Sequence, residues 1–352
     1  MSFNGNNTYS NTLQTFKIKD NSAGTPFFDI VISKSDSGSV VLSTDPLYPN
    51  SNIILENTLE FATGNRGLIV ADTSVGRYVQ VGTNNADLAS VQRFGKGYVA
   101  GELRRWVADG AQNKVFNVGT QEAYTPVTLE ISSGAGSPGL IGVTGYGTSH
   151  PDLANNPLYE IGTDIERYWR IIPQGSSPFD LGAGRNYNLL TQFIPGFEPA
   201  GDVKSGSNFG VFEHFRRTDA WAQAGSWSDV PALNRSDSTL KSGTISEFGD
   251  FMVAEPAGIT YYSRKNGNWN DATTWSNVAY GGVSAPTWPN TVTDRVRIGN
   301  GDTVVIASLS PRARTITVEK FNDKPGMLFV QNERWLRGLS FELKDSCILA
   351  TD

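Results

Sequence analysis

Acid–base and nucleophilic catalysis most often rest on histidine, and the 352 residues hold two, His150 and His214. His150 lies in the turn-forming run Thr148-Ser149-His150-Pro151-Asp152, and His214 lies in a strand-like run beside Phe212 and Phe215. No Gly-x-Ser-x-Gly elbow accompanies either, so both read as structural histidines. Glycoside hydrolysis needs only two carboxylates, and Asp164 with Glu166, or Asp152 with Glu160, could supply them. With 35 acidic residues in the chain, such pairs arise by chance and single out no site.

Metal and phosphate chemistry leave equally little trace. No Cys/His cluster has zinc spacing. The acidic turns at Asp36, Asp302 and Asp323 offer oxygen to calcium, but none has the Asp-x-Asp-x-Asp spacing of an EF-hand loop, and solvated turns are the plainer reading. The glycine-rich run Ser133–Gly139 is followed by neither a helix nor a Lys-Ser/Thr pair, so it reads as a loop and not as a phosphate cradle. Aromatic residues are the remaining chemistry. Trp221, Trp227, Trp269, Trp275 and Trp288, with Tyr261, Tyr262 and Tyr280, fall in loop-like contexts where an indole could stack on a sugar ring or cap a core.

These aromatics converge on the stretch from Tyr261 to Ile306. Trp269 and Trp275 are six residues apart across Asn270-Asp271, a spacing that lets a turn lay both indoles over one edge of a β core. Downstream, Val296 and Ile298 alternate with Arg295 and Arg297, as in a half-buried strand. Asn300-Gly301 then supplies the positive φ of a tight hairpin or solenoid turn, and Thr303–Ile306 is the next strand. The pattern Tyr262-Ser263, Gly267-Asn268-Trp269, Trp275-Ser276, a Pro-containing loop and Asp294-Arg295-Val296-Arg297-Ile298 resembles module openings in long repetitive surface proteins of Bacteroidetes-type bacteria. Such proteins are commonly exported by the type IX secretion route. Two further stretches resemble the same proteins: Asn52–Val70, which is similar to β-solenoid rungs, and the series Tyr98–Arg105, Phe116–Thr120, Tyr124–Leu129 and Arg167–Ile172, which is similar to a recurring β-sandwich module.

Composition agrees with a β protein. There are 37 glycines and 17 prolines, more than long helices tolerate, and Val, Ile, Thr and aromatic residues supply the bulk. Short apolar runs recur with a turn signal every eight to twelve residues or so, among them Phe27–Ile32, Ile53–Leu55, Leu59–Phe61 and Leu68–Val70. The reading is an all-β chain with little helix, a β-sandwich flanked by β-solenoid-like or meander sections: residues 1–90, then the sandwich at 91–256, then a second rung section at 257–352 opened by the tryptophan-rich cap. Residues 1 to about 15 are polar and read as mobile or docked, with a first strand at Phe16–Lys19.

The net charge of −6, with scattered Lys and Arg, gives no footprint for nucleic acid. No apolar run is long enough to span a membrane. The lone Cys347 cannot close an internal disulfide and reads as a buried inert thiol. The absence of a basic and apolar leader stands against the surface-protein resemblance, and the expectation that reconciles them is a piece of a longer chain or a Met1 that is not native, with an intracellular or virion protein as the alternative.

The functional expectation is a non-enzymatic, extracellular or cell-surface structural or adhesive module of a fibre or filament, with no cofactor. Its partners are copies of itself or neighbouring modules, joined through end rungs at Phe27, Phe28, Ile30 and Ile32 and at Leu339, Phe341 and Leu343. The alternatives are a carbohydrate-binding module of a secreted polysaccharide-processing protein, gripping glycan through Trp269, Trp275 or Trp288, and a virion fibre or adaptor protein.

Overall fold

The computed structural model describes residues 2–5, 14–16, 27–34, 39–42, 52–61, 68–71, 73–83, 89–134, 136–218, 227–307, 311–331, 334, 337–344 and 347–351. The chain is all-β, and the helical elements among these residues are three-residue 3-10 turns. It divides into two compact units, Met1–Glu255 and Pro256–Asp352.

The first unit begins as a parallel coil. Strands Ser2–Gly5, Phe27–Lys34, Ile53–Phe61, Tyr78–Val81 and Glu102–Val107 pair side by side in one large sheet. The segments between them supply Gln14–Phe16, Ser39–Leu42, Leu68–Val70 and Tyr98–Ala100 to a second parallel sheet, which Val118–Gly119 joins after the last of them. The chain therefore alternates between two sheets and advances by one strand spacing per circuit. Alternation along each strand sends one face inward: Ile53, Leu55, Leu59 and Phe61 are buried, while Glu56 faces solvent. Burying each such side chain contributes about 1.5–3 kcal/mol.

Sharp corners join the sheets, and Gly101 makes one of them. It has φ +128°, and a Cβ there would lie 2.0 Å from the carbonyl oxygen of Ala71 on the preceding circuit. Only glycine permits that approach, which the Ala71 N–H to Ala100 C=O bond of 2.8 Å locks.

Past Glu102–Val107 the large sheet turns antiparallel, through Gly139–Tyr146, Tyr168–Gln174, Gly249–Ala254, Glu213–Arg217 and Trp227–Val230. A separate antiparallel sheet, Gln112–Phe116, Val127–Ile131, Tyr187–Gln192, Thr239–Ile245 and Ala232–Arg235, shares its core. One continuous apolar cluster runs from Ile30 to Val253 through both kinds of pairing. The change of texture near residue 91 thus falls inside one unit, because parallel pairing continues through Glu102–Val107 and hands its edge directly to antiparallel neighbours. The expected mobile N-terminus contributes strands Ser2–Gly5 and Gln14–Phe16, and of the strand expected at Phe16–Lys19 only Phe16 lies within the described residues.

The second unit is a parallel coil of its own. Thr260–Ser263, Arg295–Ile298, Arg312–Val318 and Arg337–Leu343 form one sheet, and Gly267–Asn268, Thr303–Ile306, Met327–Val330 and Ile348–Thr351 form the other. Asn300-Gly301, with φ of +60° and +80°, joins strands of different sheets. It is a coil corner and not a hairpin.

Candidate functional site

Three places gather the residues that could act: a polar strap on the large sheet, a buried histidine between sheets, and the two ends of the second unit's coil.

The strap is the loop after Gly139–Tyr146. Its anchor is a row of aligned residues crossing adjacent strands, Glu102, Thr144, Arg170, Asp250 and Arg217. Asp250 accepts from Arg170 Nε at 2.9 Å and Nη2 at 3.1 Å, and from His150 Nε2 at 3.2 Å. The Asp152 backbone N–H donates to His150 Nδ1 at 3.1 Å. That bond fixes the proton on Nε2, so both ring nitrogens of His150 are engaged within the protein. Tyr168 and Trp227 close on the ring edge-on, with centroids at 4.7 and 5.0 Å.

In each proposed carboxylate pair the aspartate is committed elsewhere. Asp164 is buried and accepts from Ser149 Oγ at 2.6 Å and Lys204 Nζ at 2.8 Å. Asp152 accepts from Arg217 Nε at 2.6 Å. Burial opposes ionisation of Asp152, but bonds from Asn155 and Arg217 outweigh it and hold the carboxyl below its usual range. Glu166 is exposed. Glu198 is pushed up by burial and by the neighbouring charge of Glu166. Ser149 spends its bonds on Asp164 and Lys204, which gives it none of the Ser–His contact that activates a nucleophile.

His214 bridges the large sheet and the separate antiparallel sheet that shares its core. From the strand Glu213–Arg217 it meets Thr191 Oγ1 at 2.8 Å and Ser242 Oγ at 2.8 Å on the opposite sheet. Ser242 donates its hydroxyl proton to Val230 C=O at 3.1 Å, so Nδ1 carries the imidazole proton and Nε2 accepts from Thr191. Complete burial without a charged partner pulls its pKa down to about 3.

In the second unit the tryptophans close one end of the coil. Strand Trp275–Ser276 pairs antiparallel along the outer edge of Thr260–Ser263. Trp269 and Trp275 are buried and meet edge to face at 5.2 Å. The Trp275 Nε1–H donates to Trp269 C=O at 2.7 Å, and the Trp269 Nε1–H to Pro289 C=O at 2.8 Å. Both indoles are core, with no face left for a sugar, and Trp288 packs half-buried against the same cluster. Trp221 lies outside the described residues.

Among the described residues the other end is open. Inward columns run Tyr261, Val296, Ile316, Phe341; Ile298, Val318, Leu343; and Val304, Leu328, Leu349. Every member is 0–1 % exposed until the last, where Phe341, Leu343 and Leu349 are 40 %, 47 % and 45 % exposed. Comparison with protein-family models, curated proteins and solved structures returned no match.

The remaining expected contact residues divide. Ile30 and Ile32 are buried core residues on a strand paired on both edges, to Ser2–Gly5 and Ile53–Phe61, so they offer no free end rung. Phe27, Phe28 and Leu339 lie on described strands, and their side chains fall outside the described set. Cys347 is half-buried against the coil core and not fully buried. Of the acidic turns, Asp302 is buried, which raises its carboxyl pKa. Asp323 is an exposed partner of Lys320 at 2.9 Å, and Asp36 lies outside the described residues. Among the described residues no three His, Cys, Asp or Glu side chains are grouped to hold a metal ion.

Proposed function

We propose that this chain is a non-enzymatic structural or adhesive module of an extracellular fibre or filament, in the style of the long repetitive surface proteins of Bacteroidetes-type bacteria, and that it assembles by stacking coil on coil. The observation that carries the reading is the jump in exposure along the inward columns of the second unit. Phe341, Leu343 and Leu349 stand where every earlier circuit is covered by the next. Among the described residues the strands bearing them, Arg337–Leu343 and Ile348–Thr351, are the last in their sheets and have an edge without a strand partner. Such an edge, with an apolar interior, is a template for another parallel circuit, supplied by a neighbouring module or a second copy.

Carbohydrate recognition through Trp269 and Trp275 has less support, since both indoles are interior. Surface display is tested by antibody labelling of intact cells that carry the native protein, with a protease added outside. Labelling that disappears on proteolysis without lysis is the expected result. Labelling that requires lysis would contradict an extracellular module.

A further inference from the structure

Three buried arginines in this protein come with carboxylates. Arg167 is held by Asp202 at 2.8 Å, Arg185 by Asp109 at 2.9 Å and Arg217 by Asp152 at 2.6 Å. Arg105 is comparably buried, with 7 % of the residue exposed, yet among the described residues it has no ion-pair partner. Its Nη1 donates to the Val115 carbonyl. Its Nε is inaccessible and bonds to nothing described. Burial alone depresses its pKa to about 10, the sign of a cation held without a compensating charge.

Its position explains how it came there. In Glu102–Val107, Leu103, Arg105 and Val107 share one face, and Leu103 and Val107 are fully buried. Arg105 therefore points inward from the large sheet at the strand where parallel pairing gives way to antiparallel. Two separate sheets serve this stretch of the chain: Val118–Gly119 ends the short parallel sheet, and Gln112–Phe116 begins the antiparallel one. The guanidinium reaches the carbonyl of Val115, a half-exposed residue of the latter strand. The planar fork of N–H donors, anchored by one backbone carbonyl and lacking a carboxylate among the described residues, leaves its Nε–H without a partner, the kind of donor an oxyanion satisfies.

We propose that this seam is an oxyanion site, with Arg105 as the residue that binds a carboxylate or sulfate-type group. The ligand supplies the negative charge that aspartates supply to Arg167, Arg185 and Arg217.

The test uses the full 352-residue chain and its Arg105→Met and Arg105→Lys variants. Thermal unfolding of the first unit is followed while sodium sulfate or sodium acetate replaces chloride at constant ionic strength. The expected result is a saturable rise in Tm on the order of 2–4 °C, with half-saturation on the order of millimolar. Arg105→Met should lose that rise while its Tm in chloride stays level or increases, because an uncompensated buried charge has been removed. Arg105→Lys, which folds with a charge but lacks the fork, should bind more weakly. A response to acetate alone identifies a carboxylate site, and a response to sulfate alone a tetrahedral one. No saturable response in the wild-type chain, or the same response in Arg105→Met, would overturn the proposal. A Tm in chloride that falls sharply in Arg105→Met would overturn it too, since that would make the arginine a packing element satisfied by Val115.

Discussion

The protein contains two parallel coils that end differently. In the first unit the final coil strand of the large sheet, Glu102–Val107, passes its edge to Gly139–Tyr146, and the sheet continues antiparallel over a shared core. In the second, the strands Arg337–Leu343 and Ile348–Thr351 have no outer neighbour among the described residues, and the inward side chains Phe341, Leu343 and Leu349 remain two-fifths exposed or more. The difference teaches what a coil needs. Each circuit buries its inward face against the next, so a stack is complete only when something of another kind covers the last one. The first unit supplies antiparallel strands over a shared core. The second supplies a tryptophan cap at one end and nothing among its described residues at the other.

The largest effect should come from breaking the closed end. Trp275→Ala removes a fully buried indole that packs on Trp269 and bonds to its carbonyl. A loss of about 3–5 kcal/mol is expected, read as a lower urea midpoint for the second unit. Should that midpoint hold, the indoles would not be the cap. A comparable loss, also about 3–5 kcal/mol, is expected in the first unit from Asp202→Ala, which strands the buried guanidinium of Arg167.

Acid sharpens the contrast further, because both histidines belong to the first unit. His214 has a folded pKa of about 3 against an ordinary value near 6.5. The unfolded chain therefore binds the extra proton between those values. Stability from this group is whole above pH 6.5, falls as the pH drops through that window by up to about 1.4 kcal/mol per unit, and levels off near 3. Calorimetry at stepped pH should show the first unit's transition falling more steeply than the second's, and His214→Gln should flatten the difference. Equal slopes in wild-type and variant would show that His214 does not carry it.

The smallest effect on stability belongs to the open end. Phe341→Ser and Leu343→Asn should each cost less than about 1.5 kcal/mol, since a large part of each side chain is already in water. A cost as large as that of Trp275→Ala would mean that the end is packed.

Much of this architecture was legible because alternation and turn chemistry are local. Val296 and Ile298 against Arg295 and Arg297 predict a half-buried strand, which is found, and Asn300-Gly301 predicts a hairpin or a solenoid turn, of which the second is found. The indole spacing at Trp269 and Trp275 pointed to a cap, and the burial of both indoles settles them as core. Alternation also placed Arg105 on the face of Leu103 and Val107, a signal that was there to be used. What local patterning does not carry is which strand covers which. Ile30 and Ile32 have the look of an end rung, yet two neighbours enclose them. His150 and Asp250 meet across a hundred residues, and only the register of Tyr168–Gln174 with Gly249–Ala254 brings the latter beneath the strap.

The most direct test of the account is sedimentation velocity over a wide concentration range, comparing the 352-residue chain with a Phe341→Lys/Leu343→Lys double variant. The account predicts concentration-dependent association for the wild-type chain and a monomer for the variant, with unfolding midpoints nearly unchanged. A wild-type chain that stays monomeric at high concentration, or a variant that associates equally well, would contradict assembly through the open coil.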